Sequence, residues 1–407
     1  MAGYVVYQCI PQLLPRVQMF IPAQFSHRNP PSRLIFGAGV IDRLAEDLRE
    51  LGICRPVLVA GSRTSASQVY ALTRRALAGL DHAQQTGMPE HTPIEHVRRL
   101  CDLARSHRAD GFVAVGGGSA SDACKAAALW LAEGGELAEH ATRFIPPNQL
   151  HSPVLPAEKL PIVAIPTTLS AAEVTAGGSV RTEDGRKLVL VDPKVAARLI
   201  LIDPVASLEV PAPIFLASGM NGLAHCVEGY YSKVRTPITS ALALEAIRLF
   251  MRSLPEVAAD PASAHARSQA LVAAHLSGHV LLNARSCVHH ATCHSLGAVA
   301  GISHGDANSI VLPHAMVFNS ADEQARRDLA ECASALGAQE GSAEAAVERV
   351  RWLQRAIGVP QRLRDTAISQ QQLPAVAQGV MAEKGLYVNP RSVSGPQEIL
   401  QMLQAAW

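Results

Sequence analysis

Apolar residues follow different patterns in the two halves of the chain, and the first half alternates short apolar runs with longer amphipathic stretches. Glycine, proline and other turn formers bound these runs, which is typical of buried strands. Strands that alternate with helices pair in parallel, so we predict a doubly wound, parallel α/β sheet. The predicted strands are RPVLVAG (55–61), GFVAVGGGS (111–119), LPIVAIPTT (160–168), KLVLVD (187–192) and RLILID (198–203).

Beyond about Pro211 the strand patterns give way to long helical ones. TPITSALALEAIRLFMRSLPEVAA (236–259) and SAHARSQALVAAHLSGHVLLNA (263–284) repeat apolar residues with helical spacing. We predict an all-helical second domain, with the boundary in DPVASLEVPAP (203–213), which is rich in turn formers. The predicted organisation is an N-terminal extension over 1–20, an α/β dinucleotide-binding domain over 21–205 and an all-helical domain with a histidine cluster over 206–407.

The composition narrows the classes of protein further. The 407 residues are 48% hydrophobic and 4% aromatic, and a formal net charge of +1 provides no attraction for nucleic acid or an anionic membrane. The eight cysteines are scattered without a CxxC pair, so we expect reduced thiols and a cytoplasmic location. No apolar run is long enough to span a bilayer, and the first 20 residues lack the basic start of a signal peptide.

A glycine-rich turn in VAVGGGSASDACK (113–125) is the first candidate for cofactor binding. Gly117 and Gly118 let backbone N–H groups approach an anion, and the helix that follows directs its positive end to the same place. We expect Ser119 to cap this helix, with Asp122 as its capping-box partner. The turn lacks the GxGxxG spacing, so a sharp βα turn without a ligand remains the alternative.

Two other strand ends fit a dinucleotide crevice, because open parallel sheets bind ligands at the carboxyl ends of their strands. One strand ends in the paired hydroxyls of Thr167 and Thr168. At the other, an acidic residue would bind an adenosine ribose and repel a 2′-phosphate, but Gly61, Ser62 and Arg63 stand there. We infer tolerance of, or preference for, NADPH. The alternatives are a turn capped by threonine and a solvated arginine.

Histidines cluster in the helical half. His290 and His294 are four residues apart and share one helix face, as do Asn221 and His225 on an earlier helix. With His304 after a glycine-containing break, three or four imidazoles can converge, and imidazole suits zinc, iron or nickel. Aspartate at position 221 would give half of a metal site, whereas asparagine leaves a neutral amide. A lone helical histidine is usually structural, so the clustering is what favours a functional site.

A combination of motifs extends over nearly the whole chain, from LIFGAGVIDRLAEDL (34–48) to the C-terminal ILQMLQAAW. The glycine turn with Asp122 and Lys125, the IPTT strand end, the SGMNGLAHCVEGYYS helix and the histidine pattern resemble the iron-containing alcohol dehydrogenase superfamily. Asn221, the loop TTLSAAE and the HHATCH segment most resemble the maleylacetate reductases. The resemblance implies this two-domain fold, NADH or NADPH as cofactor, a homodimer, and reduction of maleylacetate to 3-oxoadipate in bacterial degradation of aromatic compounds.

The resemblance also implies roles for individual residues. The cofactor site would comprise Gly117, Gly118 and Ser119 at the pyrophosphate, Thr167 and Thr168, Lys187 near the ribose, and Gly61, Ser62, Arg63 and Asp122. Asn221, His225, His290 and His304 correspond to metal ligands or substrate-anion contacts, and His294 to the histidine beside the nicotinamide. We take His294 and His225 as the catalytic residues, because histidine can donate a proton near neutral pH.

Some positions depart from the reductase pattern and leave the substrate open. Ala291 stands where such reductases often have lysine, and Ser170 and Ala171 replace the usual glycine and serine. A carboxylate-bearing ketone needs cationic or N–H donors, and Arg285 is either such a partner or a solvated residue. Two other functions stay open, a metal-dependent alcohol or aldehyde dehydrogenase with Fe²⁺ or Zn²⁺, and an NAD-using lyase or cyclase of the same fold.

Overall fold

The computed structural model describes Pro22, residues 24–145 and residues 149–407, and the predicted extension over 1–20 lies outside them. The strands are β1 (Arg33–Phe36), β2 (Pro56–Ala60), β3 (Ala83–Gln85), β4 (Gly111–Gly116), β5 (Arg143–Ile145), β6 (Gln149–His151), β7 (Ile162–Pro166), β8 (Gly177–Arg181), β9 (Lys187–Val191) and β10 (Leu199–Ile202). The helices of the first half are α1 (Leu44–Glu50), α2 (Ser62–Ser65), α3 (Gln68–Ala76), α4 (Ile94–His107) and α5 (Gly118–Glu133). Those of the second half are α6 (Ala212–Tyr231), α7 (Pro237–Ala259), α8 (Ala264–Ala284), α9 (Val288–Ala300), α10 (His304–Asn319), α11 (Glu323–Ala335), α12 (Ala343–Ile357), α13 (Leu373–Val380) and α14 (Pro396–Ala405).

Six strands form one parallel sheet in the order β1–β10–β7–β4–β2–β3. In the centre, Phe112 of β4 is opposite Val57 of β2 and Ile162 of β7. Every residue of β2, β4 and β7 is buried, because apolar clusters cover both faces of the sheet. This burial explains why the strands read as continuous apolar runs, and the predicted doubly wound α/β sheet is confirmed.

The prediction that KLVLVD belongs to this sheet is wrong. β9 pairs antiparallel with β8 in a separate hairpin, with Arg181 opposite Lys187. The five residues between these two positions can form only a hairpin, since a parallel connection needs a dozen or more. The apolar pattern also did not predict β1 and β3, which are the two edge strands of the main sheet.

The second half of the described chain is helical, as predicted, and α6 lies at its centre. Glycines on one face of α6 let its neighbours approach closely. A Cβ on Gly222 would lie 2.5 Å from Cζ of Phe250 on α7, and one on Gly229 would lie 2.2 Å from Cγ1 of Val280 on α8. Close packing on this side fixes the orientation of α6, and its polar residues Asn221 and His225 line the cavity described below.

Two features bear on the remaining predictions about organisation. The last strand of the main sheet ends at Ile202 and the first long helix begins at Ala212, and the domain limits 21–205 and 206–407 stay a prediction. Among the described residues no helix has the length and apolar character needed to cross a membrane.

Candidate active site

One cavity of about 1950 Å³ lies between the sheet and the helical half. The carboxyl ends of β2, β4 and β7 form one wall, and α6, α9 and the start of α10 form the other. Pockets for one small ligand usually measure roughly 300–1,000 Å³, so this cavity has room for a dinucleotide and a substrate. All the residues predicted for the site line it: Gly61, Ser62, Arg63, Gly117, Gly118, Ser119, Asp122, Thr167, Thr168, Lys187, Asn221, His225, His290, His294 and His304.

The glycine turn between β4 and α5 presents helix N–H groups to the cavity. Gly116 has a φ of 118°, and a Cβ on it would lie 2.6 Å from Oγ1 of Thr64, so only glycine fits there. Helix α5 begins at Gly118 with Gly117 as its N-cap, and within the described ranges no side chain caps it. Its first N–H groups and its positive end are therefore available to an anion such as a pyrophosphate.

Ser119 and Asp122 do not form the predicted capping box. Ser119 lies inside the first turn of α5, because the backbone already turns into the helix at Gly118. The Asp122 carboxylate instead accepts hydrogen bonds from the backbone N–H of Ser179 at 2.9 Å and from its hydroxyl at 3.3 Å. Asp122 thereby joins α5 to the β8–β9 hairpin, so it supports the wall of the cofactor site rather than the helix terminus.

Thr167 and Thr168 begin the loop that leads from β7 to β8, and a buried lysine of α5 fixes this loop. The Lys125 ammonium donates hydrogen bonds to the carbonyl of Gly177 at 2.9 Å and to the hydroxyl of Thr175 at 3.0 Å. Lys125 is 1% exposed, and burial lowers its pKa although Asp122 and Glu173 act in the opposite direction. The loop at the cofactor site and the phosphate-binding helix are thus held as one unit.

The end of β2 supplies the third part of the proposed dinucleotide site. Gly61 precedes the short helix α2, and a Cβ on Gly61 would lie 3.2 Å from the carbonyl oxygen of Met88. Ser62 and Arg63 follow on α2, and the exposed Arg63 lines the cavity. None of the three residues at positions 61–63 is acidic, and Arg63 is a cation, so a cofactor phosphate at this wall would meet a positive charge.

The structure brings the predicted histidines together at the other end of the cavity. Asn221 and His225 project from α6, His290 and His294 from α9, and His304 from the first position of α10. The ring centroids of His225 and His290 are 4.8 Å apart, those of His290 and His304 are 5.8 Å apart, and those of His294 and His304 are 5.7 Å apart. Three helices therefore build one imidazole-lined pocket.

Glu228, one helical turn after His225, is buried behind the histidines and contacts the start of α9. Its carboxylate accepts the backbone N–H groups of Cys287 at 2.9 Å and His289 at 3.0 Å, and it hydrogen-bonds Nδ1 of His290. Glu228, His289 and His290 are close enough to hold an ion between them. Because these contacts already occupy the carboxylate, we interpret Glu228 as the group that turns Nε2 of His290 towards Asn221, whose Oδ1 is 3.0 Å away.

The imidazoles of the pocket are neutral near pH 7. Burial and the neighbouring histidines lower the pKa of His225 and His304 well below its usual value. Burial also lowers the pKa of His290 to about 4, against the effect of Glu228. Nδ1 of His225 has no hydrogen-bond partner among the described residues. Neutral imidazoles can bind a metal or hydrogen-bond a substrate, but they do not supply positive charge.

Besides Lys187, Arg63 and Arg285, one further cation of the cavity has no sequence signal that assigns it to the site. A 3₁₀ turn, Lys384–Tyr387, places Lys384 in the cavity wall. Before it, the Glu383 carboxylate lies 3.0 Å from Nδ1 of His294, so Nε2 of this catalytic candidate is available to a ligand. No sequence signal linked this C-terminal turn to the histidines, since the contact depends on tertiary packing alone.

The residues present fit the two groups that the resemblance implies. Open helix N–H groups, paired threonines and Arg63 suit a dinucleotide. Asn221, His225, His290 and His304 offer a neutral amide and three imidazoles, a donor set that suits a divalent transition metal. The Glu228–His290 contact has the carboxylate–histidine arrangement common around metal sites. The described set lacks an anionic ligand facing the cavity, which should lower metal affinity.

Comparisons with known proteins identify the family of the chain. The family model "Iron-containing alcohol dehydrogenase" matches residues 31–204, and "Fe-containing alcohol dehydrogenase family, C-terminal" matches residues 215–407. A maleylacetate reductase of Delftia acidovorans is 33% identical over 94% of this chain and 97% of its own length. An NAD-dependent methanol dehydrogenase of Bacillus methanolicus is 27% identical over 93% and 98% of the two chains.

Solved structures of related enzymes have the same fold. A 1,3-propanediol oxidoreductase is 28% identical, with a TM-score of 0.87 over 94% of this chain and 100% of its own. A maleylacetate reductase from Agrobacterium tumefaciens is 27% identical, with a TM-score of 0.79 over 95% and 99% of the two chains. The two matching family models together cover both halves of the chain, which therefore belongs to the iron-containing alcohol dehydrogenase family of oxidoreductases.

Proposed function

We propose that this protein is an NAD(P)H-dependent reductase of a carboxylate-bearing ketone, with maleylacetate as the leading substrate and 3-oxoadipate as its product. The observation that carries the proposal is the juxtaposition in one cavity of a dinucleotide-type glycine turn, a neutral histidine pocket with Asn221, and the cation Lys384. The maleylacetate reductase relatives, at about one third identity over most of the chain, support it further.

When bound, the nicotinamide supplies the hydride, and the protein orients the substrate and handles protons and charge. Glu383 holds Nδ1 of His294, which leaves Nε2 facing the cavity. We assign His294 to proton transfer beside the nicotinamide. Burial and Lys187 lower the pKa of His294, whereas the Glu383 carboxylate acts against them and favours the protonated imidazole that a donor needs. His225 lies across the pocket with an unpartnered Nδ1 among the described residues, and we assign it to stabilising the substrate oxygen as negative charge develops.

The other pocket residues would bind either a metal or the substrate. Asn221, His225, His290 and His304 would hold a divalent iron or zinc, which would supply Lewis-acid polarisation of the substrate oxygen. Without one, the amide of Asn221 and Nε2 of His290 can hydrogen-bond the substrate directly. Arg63 supports the use of NADPH, since a guanidinium pairs well with a 2′-phosphate.

A metal-dependent alcohol or aldehyde dehydrogenase is the second candidate. The three converging imidazoles and the likeness to methanol dehydrogenase and 1,3-propanediol oxidoreductase favour it. A lyase or cyclase of this fold has less support, because the relatives named above are reductases, dehydrogenases and oxidoreductases. A cytoplasmic location and a homodimer are also part of the proposal. The dimer is supported by edge strand β1, where Leu34 and Phe36 are exposed.

The test is oxidation of NADH and NADPH with maleylacetate, other 4-oxo acids and simple aldehydes, each with and without EDTA, on protein purified without chelator. We expect turnover of the oxo acids, little turnover of the aldehydes and net cofactor consumption. Preferential use of aldehydes, lost with EDTA and restored by iron or zinc, would establish the second candidate instead. Conversion of a substrate without net cofactor oxidation would indicate a lyase or cyclase.

A further inference from the structure

We propose that Lys187, Lys384 and Arg285 form a carboxylate-binding subsite that makes the pocket selective for acidic substrates over neutral carbonyl compounds. This inference rests on the proposed reductase function and names the feature that decides its substrate class. All three side chains line the same cavity as His294, although they come from the β8–β9 hairpin, the C-terminal turn and the end of α8.

The backbone forces Lys384 and Arg285 to be neighbours. Gly385, the residue after Lys384, packs directly on the link between α8 and α9. A Cβ on it would lie 2.5 Å from the carbonyl oxygen of Cys287 and 3.3 Å from that of Ser286. The turn that carries Lys384 is thus pressed against the residues that follow Arg285, so the two cationic side chains share one part of the wall.

No direct ion pair within the described residues neutralises the positive charge at this wall. Among the described residues, the side chains of Lys187, Lys384 and Arg285 form no ion pair or hydrogen bond, whereas Arg235 elsewhere on the wall lies 2.8 Å from Asp328. The nearby Glu383 is engaged with His294. A bound carboxylate would therefore gain attraction from several charges without displacing an existing partner.

The pKa values of both lysines are lowered at this wall. The surrounding protein lowers the pKa of Lys187, although its side chain remains open to the solvent of the cavity. Burial, with repulsion from Lys187 and Arg285, lowers the pKa of Lys384 to about 8 despite Glu383. An anion placed between these groups relieves the repulsion and favours their charged forms.

Arg285 is held in a backbone conformation that a side chain disfavours. Its φ of 61° and ψ of 178° fall in a region populated essentially by glycine, yet its N–H still donates to Leu281 at the end of α8. Such strain persists mainly at functional sites, where the surrounding structure imposes it. Here it keeps a guanidinium in the cavity wall, where this planar donor can bind both oxygens of a carboxylate.

The test compares the holoenzyme with Lys384→Gln, Lys384→Arg and Arg186→Gln. The last variant is a matched control, because Arg186 lies next to Lys187 in sequence, is exposed and does not line the cavity. Steady-state rates are measured with an oxo acid and with its methyl ester, which keeps the shape and lacks the charge. Succinate, a dicarboxylate that cannot be reduced, is titrated into the NADP⁺ complex by calorimetry.

We expect Lys384→Gln to raise the oxo-acid KM and the succinate Kd about tenfold, the effect of losing one charge-assisted hydrogen bond, while ester rates stay within about twofold. Lys384→Arg should restore most of the binding, and Arg186→Gln should resemble wild type. Equal losses with acid and ester, or an unchanged succinate Kd, would overturn the subsite. If no oxo acid is reduced but succinate binding still depends on Lys384, the proposed function fails and the subsite stands.

Discussion

Replacement of Arg285 by glycine should make the protein more stable and a poorer enzyme for acidic substrates. The backbone at Arg285 (φ 61°, ψ 178°) suits glycine. Relief of this conformation should contribute on the order of 1–3 kcal/mol. Glycine's greater freedom in the unfolded chain costs roughly 0.5–1 kcal/mol. No described hydrogen bond of the side chain is lost, so we expect a net stabilisation of about 1 kcal/mol.

Arg108→Gly is the matched control, since Arg108 also has a positive φ (51°, with ψ 48°) but is exposed at the end of α4 and away from the cavity. The left-handed helical conformation costs an arginine roughly 1–2 kcal/mol, which the freedom of glycine partly offsets. Its variant should therefore gain slightly in stability with unchanged kinetics. Arg285→Gly should instead lose about tenfold in kcat/KM for an oxo acid.

The measurements are thermal unfolding of both variants without cofactor, and kcat/KM with an oxo acid and its ester. A gain of about 1 kcal/mol corresponds to roughly 1 °C in Tm for a protein of this size. If Arg285→Gly is less stable than wild type, the arginine contributes packing that outweighs any strain. Loss of activity with the ester as well would mean that the glycine has loosened the wall.

Three other predictions concern the cofactor, the metal and the support of the pocket. Arg63→Asp should raise the KM for NADPH at least about tenfold and improve NADH, as the charge beside the 2′-position is inverted; an unchanged ratio of the two cofactors would show Arg63 to be merely solvated. Asn221→Asp should raise the metal content after dialysis against limiting zinc, with affinity increased at least about tenfold by the anionic ligand; equal content would exclude position 221 from the ligand set. Glu228→Gln should cost about 3 kcal/mol in denaturant unfolding at pH 7, because it leaves buried donors without their charged acceptor. Burial would raise the pKa of Glu228, but the adjacent histidines lower it overall. The contribution of Glu228 to the free energy of unfolding should therefore be full above about pH 4.5 and be lost as the pH falls further. If the variant loses stability in acid as the wild type does, this reasoning is contradicted.

The sequence predicted the central sheet well because β2, β4 and β7 are buried on both faces and so keep an uninterrupted apolar pattern. β9 has a similar pattern, but the short connection to β8 places it in a hairpin. Burial patterns alone do not distinguish these cases, whereas the length of the connection does. The capping prediction at Ser119 failed because the glycine backbone, not the side chains, determines where α5 begins.

The predicted site residues share a cavity because glycine turns, strand ends and i,i+4 histidines have local signals that fix their place in the fold. Glu383 and Lys384 have none, since a 3₁₀ turn near the C-terminus meets the histidine helix only after the whole helical half has packed. The histidine pocket beside Asn221 carries no positive charge of its own, because its imidazoles are neutral, and the cations of the cavity are lysine and arginine side chains from other elements.

Lys125 has a consequence for the affinity of cofactor binding. By fastening the loop after Thr168 to the phosphate-binding helix, it leaves that part of the chain little to reorganise when a dinucleotide arrives. Binding therefore loses little ordering entropy there, and more of the interaction energy appears as affinity. We therefore expect the nucleotide to bind a preformed site, and conformational adjustment during turnover to occur at the substrate end of the cavity.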